Sequence, residues 1–182
     1  MLYGLVLAGG QSSRMGQDKA QLQFDGQSLL ERAKALLGIS GCQEVLVSRN
    51  QRGFIQDIVV NAGPLGGIHA ALAQTPNGAA LLVLPVDMPF MDSTRLRALV
   101  DAGSQQGRPS YFDDCFLPLY LPVSQGAKDF LDDLLANEGQ GRVRRLLDHL
   151  DAIALPCPPA PLLQNLNTPA DWQQATRSET LS

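Results

Sequence analysis

The sequence predicts an α/β protein built on an open, mostly parallel sheet with one later antiparallel excursion. Three observations carry that prediction. Apolar stretches of strand length alternate with stretches of helical period through the first hundred residues. Ala79 to Val86 (AALLVLPV) is a continuous apolar run, as expected of a parallel strand covered by helices on both faces. An N-terminal apolar stretch with Leu2, Leu5, Val6, Leu7 and Ala8 runs straight into a loop carrying Gly9, Gly10 and Gly16. In open sheets of this kind ligands bind beyond the carboxyl ends of the strands, where strand order reverses.

At 182 residues the chain reads as one domain, 1–182, large enough for a substantial core. Its 45% hydrophobic and 18% charged content is ordinary for a soluble globular protein. No apolar run approaches the roughly 18 residues needed to cross a bilayer, and Met1-Leu2-Tyr3-Gly4 has no basic leader character, so no membrane partner is expected. Cys42, Cys115 and Cys157 form neither a C-x-x-C pair nor a disulfide framework, which favours inert packing and a reducing, cytoplasmic setting. The net charge of −4 argues against a nucleic-acid partner, whose phosphates call for a basic face.

The elements follow in order. Gln21 to Phe24 alternates polar and apolar, and Asp25-Gly26 turns the chain. Ser28 caps a helix from Leu29 to about Leu37, with Gly38 as its stop. Glu44 to Ser48 is a second strand and Ile58-Val59-Val60 a short third. Gly63-Pro64-Leu65-Gly66-Gly67 leads into a helix over about Ile68 to Ala73, and the buried strand Ala79 to Val86 follows. Asp92 or Ser93 caps the next helix, Thr94 to Ala102. A hairpin turns at Asp113-Asp114, with Phe116 to Leu121 as its second strand, and helices follow at about Ala127 to Ala136 and Arg142 to Leu150. Ala152 to Leu155 is a last short strand, and Pro169 opens a final helix after the cap Thr168.

The chemistry concentrates where strands end. Glycines at 9 and 10 let backbone N–H groups close on phosphate oxygens, while Arg14 and Lys19 supply a guanidinium fork and a point charge suited to a triphosphate. The spacing fits neither G-x-x-x-x-G-K-[ST] nor G-x-G-x-x-G. Asp87 follows the buried strand directly, in Val-Asp-Met-Pro-Phe. Taken alone, Asp-x-Pro is a turn cap; opposite the cationic loop it becomes a candidate Mg²⁺ ligand. Gly63 to Gly67 allows backbone to approach a planar ring, although a plain strand-to-helix turn reads equally well. Arg142, Arg144 and Arg145 open a helix, where a solvated face is the default and anchoring of an anionic acceptor the alternative. His69 and His149 lack partners at ligand spacing and read as structural or surface residues.

Leu7 to Lys19 (LAGGQSSRMGQDK) resembles the signature L-A-G-G-x-x-x-R-M-G-x-D-K of the molybdenum cofactor guanylyltransferases, within the nucleotidyltransferase superfamily. The resemblance runs through the chain in order: Ser48-Arg49-Asn50, G-P-L-G-G, the D-x-P at Asp87, and Asn165-Leu166-Asn167-Thr168-Pro169, similar to a family N-x-N-T-P. It implies a Rossmann-like three-layer α/β/α nucleotidyltransferase fold. It implies transfer of GMP from GTP to a molybdopterin-type cofactor with release of pyrophosphate, assisted by Mg²⁺ on Asp87. By resemblance, Arg14, Lys19 and Asp87 are catalytic, and Leu7, Ala8, Gly9, Gly10, Lys19, Asn50, Asn61, Gly63, Pro64, Leu65 and Asp87 bind nucleotide. Asn165 and Asn167 lie beside the acceptor by the same resemblance, and Arg142 and Arg144 are further acceptor candidates. Molybdoenzyme apo-proteins or their chaperones are candidate partners.

Two departures matter. The segment between Arg52 and Gly63 is short, and Asn61 stands where the family has an acid that accepts from guanine; Asp57 is the candidate replacement. A cytidylyltransferase for the same cofactor, a sugar-1-phosphate nucleotidyltransferase, and a non-catalytic nucleotide or cofactor carrier remain as alternatives.

Overall fold

The structure is a computed structural model that describes residues 1–9, 18–166 and Asp171. Its centre is β1 (Leu2–Leu7), paired in parallel with β4 (Glu44–Ser48) on one side and β5 (Ala80–Pro85) on the other. Beyond β5 lie β7 (Cys115–Pro122), β6 (Ser110–Phe112) and β8 (Ile153–Leu155), giving the order β4-β1-β5-β7-β6-β8. Only β7 in this sheet runs against the others, pairing antiparallel with both β5 and β6, while β6 and β8 are parallel. The mostly parallel sheet and its single excursion are thus as expected.

Period-two alternation makes the layers. Along β5, Leu81 and Val83 enter one core, and Leu82 and Leu84 enter the other. The first core is covered by α2 (Pro64–Gln74), α4 (Gln125–Glu138) and α5 (Val143–His149), the second by α1 (Leu29–Ile39) and α3 (Ser93–Gln106). The arrangement is the three-layer α/β/α sandwich.

The caps explain the helix starts. Ser28 Oγ accepts from Glu31 N at 3.2 Å and Glu31 Oε2 accepts from Ser28 N at 3.1 Å, a reciprocal pair that also holds the Glu31 carboxyl below its ordinary value. Asp92 Oδ1 accepts from Arg95 N at 2.8 Å at the head of α3. The short hairpin of β2 (Gln23–Phe24) and β3 (Gln27–Ser28) turns through Asp25 (φ 50°) and Gly26 (φ 74°), both left-handed as a tight hairpin needs. The β6–β7 hairpin turns at Asp114, also left-handed at φ 60°.

Several expectations are corrected. α1 runs through Gly38 to Ile39, because the reversal that needs positive φ occurs later, at Gly41 (φ 106°), after Ser40 Oγ donates to Leu36 O at 2.7 Å. α2 starts at Pro64, not Ile68: Gly63 is its cap, with Pro64 in the first turn. Ile58 to Val60 is not a third strand. Only Ile55 bridges the outer edge of β4, at Ser48, and the chain then turns with Ile58 59% and Val60 72% exposed. These β-branched residues have local strand preference but no strand beside them to complete a ladder.

The cysteines are free. Burial pushes the Cys42 thiol up to about 12, in keeping with inert packing. Cys157 is exposed instead. Of the final helix expected from Pro169, only Asp171, which is helical, is among the described residues. Among the described residues, no helix is long and apolar enough to cross a membrane.

Candidate active site

The sheet order turns at β1: the chain moves from β1 to β4 on one side, then crosses to β5 on the other. A cleft of about 930 Å³ opens at the carboxyl ends of these three strands. The ladder continues to its rim, with Ala8 N donating to Ser48 O at 2.9 Å and Val86 N to Leu7 O at 3.0 Å. Leu7, Ala8, Gly9, Lys19, Asn50, Asn61, Gly63, Pro64, Asp87 and Asn165 all line this cleft.

One end of the cleft is cationic and anionic at once. Asp18 Oδ1 accepts from Ala20 N at 3.2 Å and caps a single 3₁₀ turn, Lys19–Gln21. That turn aims Lys19 across the cleft, where its Nζ lies 3.4 Å from Asp87 Oδ2. Asp87 is anchored from the far end of the chain, its carbonyl accepting from Leu166 N at 2.9 Å. The same hydrogen bond draws Asn165 into the cleft wall, while the Leu166 side chain is fully buried in the second core.

The other end lies between β4 and α2. Asn50 Oδ1 accepts from Asp57 N at 2.8 Å and Asn50 Nδ2 donates to Asp57 Oδ2 at 3.0 Å, a two-way clamp on a carboxylate that itself lines the cleft. Asp57 packs on the first turn of α2; a Cβ added at Gly66 would lie 3.2 Å from its Oδ2. The positive end of the helix dipole favours a carboxylate there. Gly67 permits still closer approach: a Cβ would fall 2.5 Å from Ser48 Oγ and 2.8 Å from Leu7 Cδ2, so only glycine lets α2 lie this near the ends of β1 and β4.

Some sequence-predicted residues stand elsewhere. Leu65 is fully buried in the first core and does not line the cleft. Arg142 and Arg144 do not line it either, because α5 turns Val143, Leu146 and Leu147 inward and leaves the arginines in solvent. Arg144 Nε pairs with Asp148 at 3.6 Å, and Arg145 pairs with Glu138. Gly10, Arg14 and Asn167 lie outside the described residues. His69 is buried and meets Asp132 at 2.5 Å, and His149 stacks on Phe130 at 3.9 Å, so both are structural as expected.

The structure also adds residues. Asp57, left without a location by the sequence, joins the cleft, as do Asp18 and Arg49. A signal for Arg49 was available: a charge set directly after a buried strand requires a partner. The donor set suits Mg²⁺. Among the described residues no group of three or more His, Cys, Asp or Glu converges. A single carboxylate, with the Asn165 amide on the same cleft wall, fits an ion that keeps its waters and arrives with phosphates.

A cleft across three strand ends has room and polar groups for a nucleotide. The MobA-like NTP transferase domain family matches residues 4–153. The chain belongs to this family. A molybdenum cofactor guanylyltransferase of Xanthomonas euvesicatoria is 37% identical over 176 residues, covering 94% of this chain and 92% of that one. One from Rhizobium johnstonii is 34% identical over 204 residues, covering 97% and 92%. Among solved structures, molybdopterin-guanine dinucleotide biosynthesis protein A from Archaeoglobus fulgidus superposes with a TM-score of 0.78 at 24% identity, covering 99% of this chain and all of that one. The 2-C-methyl-D-erythritol 4-phosphate cytidylyltransferase of Thermus thermophilus gives 0.72 at 18% identity, covering 98% of each chain. Both share the nucleotidyltransferase fold with this MobA-like chain, and the family makes it a nucleotidyltransferase.

Proposed function

We propose that this nucleotidyltransferase transfers GMP from GTP to a molybdopterin-type cofactor, yielding the guanine dinucleotide and pyrophosphate. The observation that carries the reading is a cleft with Lys19 beside Asp87 at one end and the Asn50-clamped Asp57 carboxylate at the other. Guanine presents two donors on one edge, N1–H and N2–H₂, and a carboxylate has two acceptor oxygens. Asn50 occupies part of one Asp57 oxygen, and the remaining lone pairs can accept from the base. The names of relatives that match nearly the whole chain support the same substrate pair.

The reaction needs no general base, because the acceptor's terminal phosphate is already an anion at neutral pH. It attacks the α-phosphorus in line, and the work of the site is orientation and charge compensation. Lys19 holds the phosphates and balances charge that grows on the departing pyrophosphate. Asp87 is the residue that would hold Mg²⁺, which when bound supplies charge neutralisation at phosphate oxygens. Asn165, which lines the same cleft, is the candidate for orienting the acceptor.

The test is calorimetric binding of GTP, CTP, ATP and UTP, with and without Mg²⁺, to the wild type and to Asp57→Asn. GTP should lead by tenfold or more, require Mg²⁺, and lose most of that lead in Asp57→Asn. A preference for CTP would replace the guanylyl reading with a cytidylyl one. Binding of none would favour a carrier. An unchanged GTP preference in the variant would remove Asp57 from base recognition.

A further inference from the structure

Arg49 is a charged pair's worth of chemistry that neither end of the cleft uses. It follows β4 directly, so the strand's buried run delivers it into the cleft wall, where it is only 5% exposed. A buried guanidinium is unfavourable unless its charge and its donors find partners. Here the guanidinium forms an ion pair with Asp18, and its Cζ lies 5.4 Å from the ring centre of Phe54. Its charge is thus paired with Asp18 and it adds no free cation, although its Nη2 makes no hydrogen bond among the described residues.

What it does add is a mechanical link. The carboxylate it holds is the cap of the 3₁₀ turn that begins at Lys19, and Lys19 is the cation opposite Asp87. At its own backbone, Arg49 N donates to Ile55 O at 2.8 Å and its carbonyl accepts from Gln51 N at 2.7 Å. Those bonds fold the loop in which Asn50, the next residue, clamps Asp57. One side chain therefore spans from the loop after β4 to the turn after β1.

We propose that Arg49 is a positioning residue that acts through Asp18 to fix Lys19, tying its placement to the loop that carries Asn50 and Asp57. The proposal rests on the nucleotidyltransferase reading above. Displacement of a phosphate-binding group by about 1 Å can cost a hundredfold in rate, so a residue that never touches substrate can still matter.

The experiment is a pair of double-mutant cycles, Arg49→Met with Lys19→Ala and Arg49→Met with Asp18→Asn. Two readouts are used: guanylyl transfer, as kcat/KM for GTP, and calorimetric binding of inorganic pyrophosphate. Arg49→Met should lower kcat/KM at least 30-fold and weaken pyrophosphate at least fivefold, with a melting curve close to wild type. Added to Lys19→Ala it should cost less than twofold in either readout, because the lysine it positions is gone. Added to Asp18→Asn it should again cost less than twofold, and Arg49→Lys should restore part of the loss. Full, multiplicative losses in both cycles would overturn the proposal. Should Arg49→Met fail to fold, Arg49→Gln takes its place in both cycles with the same criterion. Coupled pyrophosphate binding in a protein that makes no guanylyl product would overturn the proposed reaction and leave the positioning role standing.

Discussion

Lys19 and Asp87 are 68 positions apart in sequence and 3.4 Å apart in the cleft. Each was legible as a candidate from its setting, a lysine closing a glycine loop and an aspartate at a buried strand's end. Replacing either with alanine should lower turnover at least a hundredfold, about 2.7 kcal/mol or more of barrier, read as pyrophosphate release with acceptor present. Near-normal turnover in either variant would remove that residue from the mechanism. Base recognition shows the limit of residue-by-residue reading. Asn61 occupies the position where the acid was expected, but it sits at φ 63° in the turn before α2, a conformation for which asparagine is among the better residues. Its identity answers a backbone requirement, whereas the carboxylate lining that end of the cleft belongs to Asp57. Sequence spacing could not separate the two, because the loop between β4 and α2 has no periodicity to fix its path.

At the scale of elements, the approach of α2 to the sheet decides the shape of the cleft beside Asp57. The sequence places the start of this helix between Gly66 and Ile68, because Gly66 and Gly67 after Gly63-Pro64 read equally well as a strand-to-helix turn. They are helical, and Gly67 serves the contact with Ser48 and Leu7. Gly67→Ala should therefore destabilise the protein by about 1–3 kcal/mol through overpacking, despite the better helix propensity of alanine. Denaturant unfolding measures it, and calorimetry should show weaker GTP as α2 is pushed from the strand ends. A stabilised variant would mean that Ser48 and Leu7 simply rotate aside. The caps and the buried strands, by contrast, were readable: Ser28, Asp92 and the apolar run of β5 act through neighbours a few residues away, whereas Ile58 to Val60 lacked a partner strand.

At the scale of the whole molecule, the site is assembled from both ends of the chain. β1 and the Lys19 turn open it, and the segment at Asn165-Leu166 returns to close it against Asp87. Leu166 is fully buried, so Leu166→Ala should cost about 2–5 kcal/mol in denaturant unfolding and also reduce activity, by loosening Asn165 and the Asp87 carbonyl together. Loss of stability with full activity would show that the C-terminal segment is only packing. Family membership extends over most of this assembly, and its fold recurs at low identity in other nucleotidyltransferases, which fits a scaffold whose strand ends carry the chemistry.

By itself the sequence determined what depends on near neighbours: the alternation of strands and helices, the doubly buried β5, the capping of α1 and α3, the hairpin turns, and Gly9 and Asp87 at strand ends. Those features are written in hydrophobic period and turn chemistry over a few residues. Only the tertiary structure decided which side chains meet: Lys19 with Asp87, Arg49 with Asp18, Asn50 with Asp57, and Arg142 and Arg144 away from the cleft. Most of these contacts join different strand ends, the Asn50–Asp57 clamp depends on an aperiodic loop, and the arginines' place follows from how α5 packs. Sheet order and register bring the strand ends together, and they are set by how the two cores close around the sheet.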